Sequence, residues 1–136
     1  MEKHIVFIAL GSNLNEKYLN LLCALRYIAE RIGPLVAISS VYETEPVGFK
    51  SSNNFLNMVV KVETQLEVLE LLHETQRIEK EMGRTEKTTD SYHDRIIDLD
   101  IILYDDLEYQ SDELIIPHPH YKERDFVMLP LREIRV

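Results

Sequence analysis

Apolar and polar positions along this chain fall into blocks whose period switches between strand and helix values. Residues 5–10 are uniformly apolar and predict a buried strand, closed by the turn residues Gly11, Ser12 and Asn13. Leu14, Tyr18, Leu21, Leu22, Leu25, Ile28, Ala29 and Ile32 then recur at helical spacing until Gly33 and Pro34 stop the run. Asn13 with Glu16 has the form of a capping box at the start of that helix. Residues 35–44 predict a second strand with Ser39 and Ser40 inside it, followed by an irregular loop over 45–53. Over 55–64 the alternation is strict: Leu56, Met58, Val60 and Val62 share one face, and Phe55, Asn57, Val59, Lys61 and Glu63 share the other. Leu66, Leu69, Leu72, Ile78 and Met82 define a second helix that stops at Gly83, with Gln76 and Glu79 together on one of its faces. Residues 84–94 are polar with no apolar period and are expected to be mobile, and the run 95–104 returns to a buried strand. The resulting order, βαββαβ, implies an antiparallel α+β sandwich with both helices on one sheet face and the other face free for a ligand. The remainder predicts a hairpin around Asp105 and Asp106, a rigid Pro117-His118-Pro119-His120 segment and short helical structure over 121–135.

The chain's 136 residues suit one domain spanning 1–136, with no repeat, low-complexity tract or Pro/Gly/Ser linker to divide it. The only cysteine, Cys23, lies within the first helical pattern and reads as a small buried hydrophobe, so no disulfide or zinc site is expected. No apolar run approaches the length of a membrane span or has the flanks of a signal peptide, which predicts a soluble cytoplasmic protein. The net charge of −9 opposes a nucleic-acid backbone or an anionic membrane as partner. Phosphate chemistry would therefore need a local basic cluster or a metal.

The candidate chemistry lies in the strand 95–104. Alternation puts Ile97, Leu99, Ile101 and Leu103 on one face and Ile96, Asp98, Asp100 and Ile102 on the other, so both carboxylates point the same way. Adjacent anions on a half-apolar surface repel each other and resist desolvation unless a cation sits between them, and Mg²⁺ is the natural occupant. An acidic, solvated strand face is the competing reading. Asn57 and Phe55 fall on the corresponding face of their own strand. Arg84, Lys87 and Arg95 border the polar loop, and His118 and Arg124 are further cationic candidates. No phosphate-cradling glycine motif and no nucleophile elbow occurs, which leaves metal-assisted phosphoryl transfer as the chemistry these parts suit.

Seven collinear segments carry a resemblance across nearly the whole chain. They are Ala9-Leu10-Gly11-Ser12-Asn13-Leu14, Tyr42-Glu43-Thr44-Glu45-Pro46-Val47-Gly48, Phe55-Leu56-Asn57, Thr75-Gln76-Arg77-Ile78-Glu79, Gly83-Arg84, the run 95–104, and Pro117-His118-Pro119 through Arg124-Asp125-Phe126-Val127. Together they resemble the 6-hydroxymethyl-7,8-dihydropterin pyrophosphokinase family of folate biosynthesis. The resemblance implies a ferredoxin-like fold and transfer of the β,γ-pyrophosphate of ATP to the pterin hydroxymethyl group, releasing AMP. It implies that Asp98 and Asp100 hold two Mg²⁺ ions, with Arg84 and Arg95 joining them in catalysis. It further implies a pterin pocket of Thr44, Val47, Phe55, Asn57 and Phe126, and an ATP side of Gln76, Glu79, Arg84, Tyr92, Arg95, His118 and Arg124. The partners implied are small molecules, with the chain a monomer or weak homodimer.

Two departures from the family pattern alter the expectation. Members usually carry Arg-Trp-Gly-Pro-Arg where this chain has Ser91-Tyr92-His93-Asp94-Arg95, which predicts a less favourable loop closure with Tyr92 in place of the tryptophan. Members also usually continue past the position of Val136 into further strand and loop, packing that lies apart from the named site. Each residue also has a plainer role: Phe55 and Phe126 as core, Asn57 as a satisfied structural amide, Gln76 and Glu79 as a solvated helix face. A slow paralogue that binds pterin or nucleotide, and a non-catalytic ferredoxin-like module with a structural Asp pair, both remain open on the residues alone.

Overall fold

A computed structural model describes residues 2–45, 53–83 and 96–135. The elements run β1 (His4–Ser12), α1 (Lys17–Arg31), β2 (Leu35–Ile38), β3 (Tyr42–Thr44), β4 (Phe55–Thr64), α2 (Val68–Glu81), β5 (Asp98–Tyr104), β6 (Tyr109–Gln110), β7 (Ile115–Ile116), a 3-10 turn (Tyr121–Glu123) and α3 (Asp125–Ile134). The main sheet is antiparallel in the order β2-β4-β1-β5, with β3 also paired to β4. Joining β2 and β3 as one interrupted strand gives the predicted βαββαβ chain order, with the first strand central and the last at an edge.

Alternation explains the main core. Val6, Ile8 and Leu10 of β1, Leu56, Met58, Val60 and Val62 of β4, and Leu99 and Ile101 of β5 meet Leu21, Ala24 and Ile28 of α1 and Leu71, Leu72 and Ile78 of α2. Each fully buried aliphatic side chain there stabilises the fold by roughly 1.5–3 kcal/mol relative to exposure. A capping box opens α2, where Glu67 and Glu70 each accept the other's backbone N–H.

The opposite face is not free along its whole length. Val127, Leu131 and Ile134 of α3 pack with Tyr121 onto Phe7, Val59, Ile102 and Leu103, so α3 closes the half of this face beside the start of β1. The helical tail is amphipathic and buries its stripe in the way that α1 and α2 bury theirs.

Several expectations are corrected by register and docking. Leu103 belongs to the α3 side and not to the face of Leu99 and Ile101, because an extra residue is accommodated where β5 pairs with Phe7 and Ile8. Such a bulge reverses the facing of everything beyond it. The capping box expected at Asn13 and Glu16 does not form: Glu16 is the N-cap without a side-chain bond, and the Asn13 amide donates to the Asn53 carbonyl at 3.3 Å. Asp105 and Asp106 form the turn out of β5, and the hairpin follows it as β6 and β7. Cys23 is exposed, since α1 buries the stripe of Leu21, Ala24 and Ile28 and turns Cys23 outward with Tyr18, Leu19 and Leu22. Among the described residues no helix is long and apolar enough to cross a membrane.

Candidate active site

The uncovered half of the outer face is shaped by what its strands place there. In register, Gly11 of β1 lies opposite Asn57 of β4 on one side and Asp98 of β5 on the other, and Ala9 lies between Val59 and Asp100. Large outward residues at one end of β1 thus give way to the smallest ones at the other: Phe7, Ala9, Gly11. A Cβ on Gly11 would stand 3.2 Å from Asn57 Oδ1 and 3.6 Å from Phe55 Cδ1, so the missing side chain leaves a floor between the amide and the carboxylates.

Above this floor is a cavity of about 700 Å³. Thr44, Phe55, Asn57, Gln76, Glu79, Asp98, Asp100, His118, Arg124 and Phe126 all line it, so the structure brings together every described residue that the sequence nominated. Val47, Arg84, Tyr92 and Arg95, and the polar loop 84–94, lie outside the described residues. Sequence reasoning missed the floor, Ala9 and Gly11, and the Glu113 and Leu114 wall. Their signal was available only through register, because nothing in Ala9 or Gly11 alone carries chemistry.

Elements position each group. Asn57 is buried, and its Nδ2 donates to the Thr44 hydroxyl at 2.7 Å, which turns Oδ1 toward the Gly11 gap. Phe126 stands in the first turn of α3, two residues after Arg124, whose guanidinium carbon sits 5.8 Å from the ring centre in a cation–π contact. Glu79 is buried, and its Oε2 accepts the Leu99 backbone N–H at 2.8 Å. Because β5 is an edge strand, this bond satisfies an outward-facing donor and fixes the residue between the two aspartates.

Asp98 and Asp100 are both half-buried on one face of β5, as expected. Their oxygens are hard donors suited to Mg²⁺, which commonly binds through one or two carboxylates while phosphate oxygens and water complete its shell. Among the described residues no group of three or more His, Cys, Asp or Glu forms a complete cage. Two carboxylates open to a cavity fit Mg²⁺ that shares its shell with a phosphate ligand.

Burial pushes the His118 pKa below its ordinary value of 6.5, reinforced by Arg124 and His120 and opposed by Asp98. The ring is therefore held neutral at physiological pH. His120 donates its backbone N–H to His118 Nδ1 at 3.4 Å, an arrangement that puts the ring's own proton on Nε2.

Comparison with known proteins places the chain among relatives of one family and one fold. The family model described as 7,8-dihydro-6-hydroxymethylpterin-pyrophosphokinase matches residues 7–136. A 2-amino-4-hydroxy-6-hydroxymethyldihydropteridine pyrophosphokinase of Porphyromonas gingivalis is 46% identical over 132 residues, covering 96% of this chain and 90% of that one. The Bacillus subtilis protein of the same description is 42% identical over 132 residues, covering 96% and 78%. Among solved structures, a crystal structure of an HPPK-DHPS in complex with substrates superposes with a TM-score of 0.73 at 16% identity over 98% of this chain. Plasmodium falciparum HPPK-DHPS gives 0.75 at 17% identity over 96%. At that identity the likeness speaks for the fold, and this chain spans about two fifths of those two longer proteins, 41% and 40%.

Proposed function

The chain belongs to the 7,8-dihydro-6-hydroxymethylpterin-pyrophosphokinase family, and on that premise we propose that it transfers the β,γ-diphosphate of ATP to 6-hydroxymethyl-7,8-dihydropterin in folate biosynthesis. The hydroxymethyl oxygen forms a bond to the β-phosphorus, the bond from that phosphorus to the α-phosphate bridging oxygen breaks, and AMP departs. The proton of the hydroxyl goes to solvent or to a phosphate oxygen. The observation that carries the reading is the order of groups across one cavity. Thr44, Asn57 and Phe55 lie on β3 and β4, the glycine floor on β1, the carboxylates on β5, and Gln76 and Glu79 beyond the edge on α2.

That order supports a division of labour. Phe55 and Phe126 supply apolar faces for a flat heterocycle, while Asn57 Oδ1 accepts from a ring N–H. Asp98 and Asp100 would hold Mg²⁺, two ions by family resemblance, at the boundary between the pterin and phosphate ends. When bound, Mg²⁺ neutralises charge on the phosphate oxygens and brings donor and acceptor together. His118, neutral with its proton on Nε2, offers a hydrogen-bond donor, and Arg124 offers a full positive charge to a phosphate. Gln76 and Glu79 face the nucleotide, with Glu79 also holding β5 in place. Arg84, Arg95 and Tyr92 complete the nucleotide side and Val47 the pterin side in this reading. We further propose that residues 1–136 act as a single domain, as monomer or weak homodimer, in the cytoplasm where ATP is available, with small molecules as its only ligands.

The test is product identity. Incubated with ATP, Mg²⁺ and 6-hydroxymethyl-7,8-dihydropterin, the protein should release one AMP for each diphosphorylated pterin. Release of ADP, or no pterin-dependent nucleotide product, would contradict the reading.

A further inference from the structure

The segment 35–44 reads as one strand, yet β2 stops at Ile38 and β3 begins at Tyr42. The interruption is built by Ser39. Its backbone N–H donates to the Val59 carbonyl at 3.0 Å, and its hydroxyl accepts the Val59 N–H at 2.9 Å while donating to the Ser40 carbonyl at 2.8 Å. A side-chain oxygen thus takes the place of a ladder carbonyl. Ile38 pairs with Val60 and Tyr42 with Asn57, four steps along one strand against three along the other. One extra residue is absorbed, which is a bulge. Without it, the register of Ile38 and Val60 would carry Tyr42 opposite the core-facing Leu56 and turn Tyr42 and Thr44 onto the helix side. With it, Tyr42 and Thr44 share the outer face with Asn57 and Phe55.

The α3 helix lies on that same outer face, and Glu133 near its end collects the bulge. Glu133 Oε1 accepts the Ser40 N–H and the Ser40 hydroxyl, both at 2.9 Å, and its other oxygen accepts the Tyr42 hydroxyl. Three donors from one irregular segment therefore converge on one carboxylate that stands outside the cavity lining. Two residues beyond Tyr42, the Thr44 hydroxyl accepts from Asn57 Nδ2 and so sets which way the amide points.

We propose that Glu133 is a positioning residue for pterin recognition: by clasping the Ser40–Tyr42 bulge it holds β3 in the register that presents Thr44 to Asn57, and thereby keeps Asn57 Oδ1 turned to the open floor. The inference deepens the pyrophosphokinase reading and rests on it. A mere anchor for α3 would loosen the whole site and weaken both substrates alike. A positioning role acts on one end of the cavity only.

Glu133→Ala, Glu133→Gln and Tyr42→Phe separate these outcomes in the AMP-release assay, with KM measured for each substrate. Glu133→Ala should raise the KM for 6-hydroxymethyl-7,8-dihydropterin roughly five- to tenfold, the worth of about one hydrogen bond, with the KM for ATP within about twofold of wild type. Tyr42→Phe keeps the ring and removes only the hydroxyl, and should show the same bias at roughly threefold, whether or not Glu133→Ala folds. Glu133→Gln retains an acceptor for Ser40 and should recover most of the loss. By nitrogen-15 NMR, the Asn57 side-chain amide protons should exchange faster in Tyr42→Phe than in wild type. Unchanged pterin KM in Tyr42→Phe, or equal shifts in both KM values, would overturn the inference while leaving an active wild-type enzyme. Absence of AMP release by the wild type would instead overturn the functional reading beneath it.

Discussion

The outer face of the sheet has two halves made from the same strands, and they do opposite things. Toward one end, Phe7, Val59, Ile102 and Leu103 point outward and are sealed beneath Val127, Leu131 and Ile134 of α3. Toward the other, the outward positions shrink or turn polar, to Ala9, Gly11, Asn57, Asp98 and Asp100, and the face stays open. Both halves rest on β1, β4 and β5, with a bulge in β5 beside Phe7 and another between β2 and β3 along the way, and side-chain size and charge set which half becomes core. Stability is gathered where large apolar groups can be covered, and chemistry where small ones leave room and carboxylates resist burial. The same helix serves both, since α3 seals with Val127, Leu131 and Ile134 and offers Phe126 to the cavity from its first turn.

This division predicts that mutations in the two halves separate activity from stability. The largest effect should come from the open half: Asp98→Ala or Asp100→Ala should cut AMP release by about a thousandfold or more, since each removes a group that supports phosphate-charge neutralisation. Thermal unfolding should shift little, or upward, because like-charge repulsion is relieved. In the sealed half, Leu131→Ala should cost about 2–5 kcal/mol in denaturant unfolding and leave both KM values of the folded fraction unchanged. Substantial loss of substrate affinity there would erase the proposed boundary.

Smaller effects sharpen the map within the open half. Asn57→Ala should weaken pterin binding by roughly ten- to a hundredfold, the scale on which a hydrogen-bonding pocket discriminates, with ATP binding nearly unchanged. Gln76→Ala should show the reverse bias. Equal losses for both ligands in calorimetric titrations would mark either residue as structural. The smallest effect concerns the tie between the halves. Hydrogen bonds from Tyr42, then Ser40, hold the Glu133 carboxyl below its ordinary value of 4.5. A carboxyl depressed in the folded state contributes stability that is present above pH 4.5 and lost as pH falls through the folded-state pKa. The melting advantage of wild type over Glu133→Gln should therefore shrink on acidification below that point, and by little, since the group is exposed.

Much of this was legible in the order of residues, and the exceptions have a common physical cause. The two-residue spacing of Asp98 and Asp100 sets them on one face whatever the rest of the sheet does, provided no bulge falls between them. Asn57 and Phe55 follow from the same rule on β4. Bulges defeat it: Ile101, Ile102 and Leu103 are all apolar, so nothing in their chemistry marks where one residue is left over, and alternation alone puts Leu103 on the wrong side. Ser39 and Ser40 looked like minor polar interruptions and are instead the device that turns Tyr42 and Thr44 outward. Gly11 gains meaning only when register brings Asn57 and Asp98 to its two sides. Cys23 misled because α1 carries more apolar residues than its buried stripe can hold.

The central claim is that the open half of one sheet face is a site for diphosphate transfer built around the β5 carboxylates. Its most direct test is pterin-dependent AMP release by wild type and Asp98→Ala side by side, at matched Mg²⁺ and ATP, with unfolding midpoints recorded for both. The account predicts one AMP per pterin turned over by wild type, and loss of that product in the variant with its midpoint unchanged or raised. Retention of most of the AMP release by folded Asp98→Ala would contradict it.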